Sequence, residues 1–65
     1  MEIALNGTSR KTEANNIGAL VAELGLKRGT LLVEHNGVAL RPDEWGTTTL
    51  QEGDRIEMLK IAAGG

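Results

Sequence analysis

Asn16-Ile17-Gly18-Ala19-Leu20-Val21-Ala22-Glu23-Leu24-Gly25 is the stretch in which the hydrophobic period of this chain changes. Ile17, Leu20, Val21 and Leu24 fall at i, i+3, i+4 and i+7, which places them on one face of an amphipathic helix. Asn16 suits the N-cap, because its side-chain oxygen can accept from an otherwise unpaired amide of the first turn. Gly25 suits the left-handed position just past the last turn. These signals predict a helix over Ile17 to Leu24. Gly18 is its weak point, since glycine inside a helix costs up to ~1 kcal/mol relative to alanine. Packing of the apolar face has to compensate.

On either side of this helix the period falls to two. Upstream, Glu2-Ile3-Ala4-Leu5-Asn6 sets Ile3 and Leu5 on one face of a strand and Glu2, Ala4 and Asn6 on the other. Asn6-Gly7 is a strong hairpin signal because both residues tolerate positive φ, and Thr8 to Ala14 can return as an antiparallel, mostly polar strand near a sheet edge. Downstream, Leu31-Leu32-Val33-Glu34-His35 has the short apolar character of a strand, and Asn36-Gly37 turns it into Val38-Ala39-Leu40. Pro42-Asp43-Glu44-Trp45 reads as one helical turn, with proline at the first position, where its missing N–H does no harm. Thr47 to Thr49 continue as loop, and Leu50 is an apolar anchor before the polar turn Gln51-Glu52-Gly53-Asp54. The last strand, Arg55 to Ile61, carries Ile56 and Met58 on one face and Leu59 and Ile61 on the opposite one, with Lys60 continuing the first. The sequence then runs through Ala62-Ala63-Gly64-Gly65, residues with almost no side chain.

The order β, β, α, β, β, turn, β predicts an α+β fold of the β-grasp (ubiquitin-like) kind: a mixed sheet of about five strands with one main helix packed across it. Residues 1–61 are expected to form this domain and residues 62–65 a flexible C-terminal tail.

Composition narrows the function. In 65 residues there is room for one domain, and a domain of that size buries only about 60% of the surface its unfolded chain exposes. A deep enclosed pocket would consume much of the same apolar material, which argues against an independent enzyme. No acid, base and nucleophile cluster can be read from the chain. The absence of cysteine and the presence of a single histidine rule out thiolate chemistry and a multi-imidazole zinc site. A formal charge of -2, with acidic and basic residues interspersed, offers no basic stripe for nucleic acid. No stretch approaches the roughly 20 apolar residues of a membrane span, and Met1 to Gly7 lack the pattern of a secretory leader, so the expected location is the cytoplasm.

Along nearly its whole length the chain resembles the bacterial sulfur-carrier proteins of thiamine biosynthesis. The matching pieces are Ile3-Ala4-Leu5-Asn6-Gly7, the helix from Ile17 to Leu24, Glu34-His35-Asn36-Gly37, Arg41-Pro42-Asp43-Glu44-Trp45, Leu50-Gln51-Glu52-Gly53-Asp54-Arg55-Ile56-Glu57, and the final Gly64-Gly65. Each piece alone is a weak signal; together they are specific. Two departures are His35, where that family commonly has an aliphatic residue, and Arg41-Pro42, which reverses its usual order.

The resemblance implies that the working group is the Gly65 carboxylate. An α-carboxyl group has a pKa of about 3.3 to 3.7, so near neutrality it is an anion that no sulfur nucleophile attacks, and it must first be activated. The implied partners are an ATP-dependent adenylating enzyme related to ubiquitin-activating enzymes, a persulfide sulfur donor and a thiazole synthase. On Gly65 a glycyl adenylate would form first and a thiocarboxylate (1-thioglycine) second, whose sulfur goes into the thiazole ring of thiamine. The chain itself would bind no cofactor or metal and would hold no catalytic residue, the ATP being used by the partner.

Glycine at the last two positions suits a tail that threads a narrow channel, with Ala63 and Gly64 entering the partner's site. Ordering such a tail costs roughly 1 to 2 kcal/mol per residue, so contacts from the body must supply affinity. Leu59 and Ile61, an apolar pair on the outer face of the last strand, are the expected docking residues. His35 reads as a partly buried packing residue and Trp45 as a lid on one end of the core. Three other functions share parts of this pattern: the small subunit of molybdopterin synthase, a ubiquitin-like protein modifier joined to lysines through its diglycine, and a binding module without covalent chemistry.

Overall fold

The computed structural model describes residues 1–61. The strands are β1 (Glu2–Leu5), β2 (Thr8–Lys11), β3 (Leu31–His35), β4 (Val38–Leu40) and β5 (Arg55–Lys60), and the helix is α1 (Ile17–Glu23). Two 3-10 segments, Arg28–Thr30 and Pro42–Thr47, complete the elements. The strands form one mixed sheet in the order β2-β1-β5-β3-β4. β5 lies parallel to β1 and antiparallel to β3, and both hairpins are antiparallel.

Both hairpins turn on Asn-Gly pairs with positive φ at both residues: 50° and 81° at Asn6-Gly7, 50° and 87° at Asn36-Gly37. That pair of values matches the right-handed twist of the flanking strands, which explains the abundance of asparagine and glycine in two-residue hairpin loops.

α1 is capped as its residues predict, Asn16 Oδ1 accepting from the Ala19 amide at 2.7 Å. It ends one residue earlier than expected, with Leu24 as C-cap. Gly25 N–H donates to Ala22 O and Leu26 N–H to Val21 O, so the last carbonyls are satisfied by a left-handed turn instead of another helical residue. β2 also stops short, at Lys11 instead of Ala14. There Thr12 turns its hydroxyl toward both Glu23 carboxylate oxygens at 2.9 Å and accepts from the Ala14 amide at 3.0 Å, a side-chain alternative to the strand ladder. The turn expected at Pro42–Trp45 runs on to Thr47. Glu44 reaches back to the Arg41 amide at 2.7 Å, and its carbonyl accepts from the Thr47 and Thr48 hydroxyls. β1 and β5 are each one residue shorter than predicted.

The core lies between α1 and one face of the sheet. Ile3, Ile17, Leu20, Val33, Trp45 and Ile56 are its largest enclosed side chains. Each aliphatic side chain so enclosed contributes about 1.5 to 3 kcal/mol, enough in sum to outweigh the ~1 kcal/mol weakness at Gly18. Trp45, expected at one end of the core, is wholly buried, and the Arg28 guanidinium stands 5.1 Å from its ring centre while donating to the Pro42 carbonyl.

Candidate functional site

β5 is the middle strand of the sheet, and it leads directly to the glycine tail. Ala4 N–H and Asn6 N–H donate to the Asp54 and Ile56 carbonyls on one side, and Ile61 N–H donates to Thr30 O at 2.8 Å on the other. Sheet bonding therefore holds the chain up to the residue before Ala62. Ala63, Gly64 and Gly65, the residues expected to thread and to be modified, lie outside the described residues.

The two faces of β5 differ as alternation requires. Ile56 is buried and Met58 half-buried against the core, whereas Leu59 is 65% and Ile61 46% exposed. Leu59 pairs across β3 with Leu32, which is itself 54% exposed. Leu32 was not singled out in the sequence, because within Leu31-Leu32-Val33 apolarity alone assigns no face; its pairing with Leu59 does. Glu34 and Glu57 stand opposite each other next along the same face. A groove of about 500 Å³ runs over this surface, lined by Asn6, Leu32, Glu34, Glu57, Met58 and Leu59.

His35 has a more defined task than packing. Its Nε2 lies 2.8 Å from Asp54 Oδ2, and the Asp54 carboxylate also accepts from the Gln51 amide at 2.9 Å and from Asn36 Nδ2 at 3.1 Å. Asn36 Oδ1 in turn accepts from the Arg55 amide. The β3–β4 turn is thereby tied to the turn that launches β5. Burial alone would push the Asp54 carboxyl up, but the bonds from His35, Gln51 and Asn36 together hold it below the usual carboxylate range. Glu23 is also lowered, chiefly by the Thr12 hydroxyl, with help from the Glu13 amide and Arg10 against some desolvation. Among the described residues no group of three or more His, Asp or Glu side chains is arranged to hold a metal ion, and no helix is long and apolar enough to cross a membrane.

A family model described as the ThiS family matches residues 3–65, nearly the whole chain and the diglycine with it. The chain belongs to the ThiS family. Its resemblance to the sulfur carriers of thiamine biosynthesis is thus one of family. Two solved structures agree with this ThiS family assignment. The crystal structure of a thiamine biosynthesis protein (ThiS) from Geobacter metallireducens is similar at 28% identity and a TM-score of 0.85, with all of both chains covered. An NMR solution structure of a thiamine biosynthesis protein from the same organism is similar at 28% identity and a TM-score of 0.80, covering all of this chain and 88% of that one. Among curated proteins none matches the chain. The β-grasp reading of the ThiS fold holds: a mixed five-stranded sheet with one main helix.

Proposed function

We propose that this ThiS family member is a protein cosubstrate, not an enzyme, that carries sulfur on the carboxylate of Gly65 for thiazole formation in the cytoplasm. The observation that supports it most is that the family match runs through Gly64 and Gly65, directly after a strand bonded into the middle of the sheet. In this reading the body, residues 1–61, is the handle and residues 62–65 are the reactive arm.

A Gly65 carboxylate oxygen attacks the α-phosphorus of ATP on the adenylating partner, pyrophosphate leaves, and the acyl carbon acquires AMP as a leaving group. A persulfide sulfur attacks that carbon and expels AMP, giving an acyl disulfide. A thiol reductant cleaves the S–S bond, and the thiocarboxylate remains on Gly65. A thiazole synthase then takes the sulfur. ATP is consumed on the partner and no cofactor stays with this chain.

Ala63 and Gly64 supply the slim backbone that lets Gly65 approach nucleotide. Leu59 and Ile61, with Leu32 beside them, supply the docking contact. Their exposure supports this role, because an apolar patch that the fold leaves uncovered has a reason to be covered by a partner. Deleting Gly65 tests the assignment: loading should be abolished while the thermal unfolding midpoint stays unchanged, since a terminal residue adds little packing. Normal loading of the truncated chain would refute it.

A further inference from the structure

Beyond Leu5, β5 loses one of its two neighbours. β1 pairs with it only at Ala4–Arg55 and Leu5–Ile56, whereas β3 pairs as far as Leu31–Lys60. Ile61 N–H points to the β3 side, where the carbonyl of Thr30, the residue just before β3, accepts it. Backbone groups alternate sides along a strand, so the N–H and C=O of Met58 and Lys60 point to the opposite edge, the one β1 has left. At Met58 a side chain fills that edge: Asn6 Oδ1 accepts from Met58 N–H at 2.7 Å, and Asn6 Nδ2 donates to Met58 O at 3.1 Å. One carboxamide thus stands in for a missing peptide unit. At Lys60 no hydrogen-bond partner takes that place among the described residues.

Two grooves flank this same edge, one on each face, and share Asn6 and Met58. The outer one carries Leu32, Leu59, Glu34 and Glu57. The inner one, about 340 Å³, is walled by Leu5, Leu24, Leu26 and Leu31, with Lys60 at its lip. An extended segment laid beside Lys60 in line with β1 would send successive side chains alternately into the two grooves.

Charge selects the occupant. Glu34 and Glu57 face each other across β3 and β5, an arrangement that repels, and neither has a cationic partner among the described residues. A segment with basic side chains on the outer face would relieve that repulsion. Pairing of this edge with itself in a second copy would bring the same carboxylates together instead. We infer that the β5 edge at Lys60 is a strand-addition site for an extended segment of the adenylating partner, with apolar side chains toward the leucine groove and basic ones toward Glu34 and Glu57. This inference rests on the partner reading given above.

The test compares Lys60→Pro with Lys60→Ala in binding to the adenylating enzyme, together with hydrogen exchange of the Lys60 amide in the complex. Proline at 60 removes only a donor that faces the open edge, a position where sheets tolerate it. It also asks Leu59 for an extended conformation, which a strand already has. Lys60→Pro should keep its fold and bind about tenfold more weakly. Lys60→Ala should bind nearly as the parent does, and the Lys60 amide of the parent should exchange at least about tenfold more slowly in the complex. Equal binding by a folded Lys60→Pro variant overturns the inference and leaves the partner reading standing. If that variant does not fold, the amide decides, and unchanged exchange in the complex overturns the inference. Self-association of the chain with protection of Lys60 would also overturn it, by naming the wrong occupant. Failure of the parent chain to bind the adenylating enzyme removes the partner reading and this inference together.

Discussion

Asp54 holds three donors with one carboxylate: His35, the Gln51 amide and Asn36. A carboxyl group whose folded pKa is depressed adds stability that is present above its unfolded value and is lost as pH falls through the folded one. Asp54→Asn should therefore destabilise the domain by about 1 to 2 kcal/mol near neutrality. The gap from the parent should close as pH falls below about 4, where the parent loses the same charge. Urea unfolding of both proteins at several pH values measures this; a gap that does not depend on pH would show that the charge is not what matters. At Leu59 the opposite behaviour is expected. The residue is 65% exposed, so Leu59→Asp should change stability by no more than about 0.5 kcal/mol. Binding to the adenylating enzyme, measured by calorimetry, should fall far more, because the apolar contact is lost and a carboxylate would have to be desolvated in its place. Single residues were unevenly legible. Strand parity placed Leu59 and Ile61 outside and Ile56 inside, but His35 and Asp54 are 19 positions apart, and no local pattern joins them. Asn6 was recognised as a turn residue, while its second use, bonding Met58 from 52 positions away, depends on where β5 lies.

β3 and β4 were read to the residue; the other predicted elements had a boundary off by one to three residues, and the discrepancies at α1 and β2 have bonds behind them. α1 stops at Glu23 because Gly25 and Leu26 satisfy its last carbonyls. β2 stops at Lys11 because the Thr12 hydroxyl competes with the ladder. Such competition is decided by tertiary partners, here Glu23, and so it escapes a local reading. Gly18 makes the element-scale prediction. A Cβ placed there would lie 3.4 Å from Asn16 Oδ1 and 3.7 Å from the Gly46 amide nitrogen, ordinary contact distances. Gly18→Ala should accordingly stabilise α1 by about 0.5 kcal/mol through helix propensity. A raised thermal midpoint checks this; a lowered one would mean that close approach of α1 to the Pro42–Thr47 segment requires the glycine.

At the scale of the whole molecule, the order of the elements was legible because it depends on punctuation that short-range physics controls: two Asn-Gly turns, one capped helix and one change of hydrophobic period. The arrangement of the sheet makes β5 both a strand bonded on each side and the one that leads to the tail, so in the proposed reading the load at Gly65 and the docking surface at Leu59 would be carried by one continuous element. Loading at the C-terminus is the central claim. The most direct measurement is the intact mass of the purified chain after incubation with its adenylating enzyme, ATP, a persulfide donor and a thiol reductant, followed by fragmentation. The expected result is a gain equal to one exchange of oxygen for sulfur, found in the fragment that contains Gly65. An unchanged mass, under conditions in which another carrier of this family is loaded, would contradict the account.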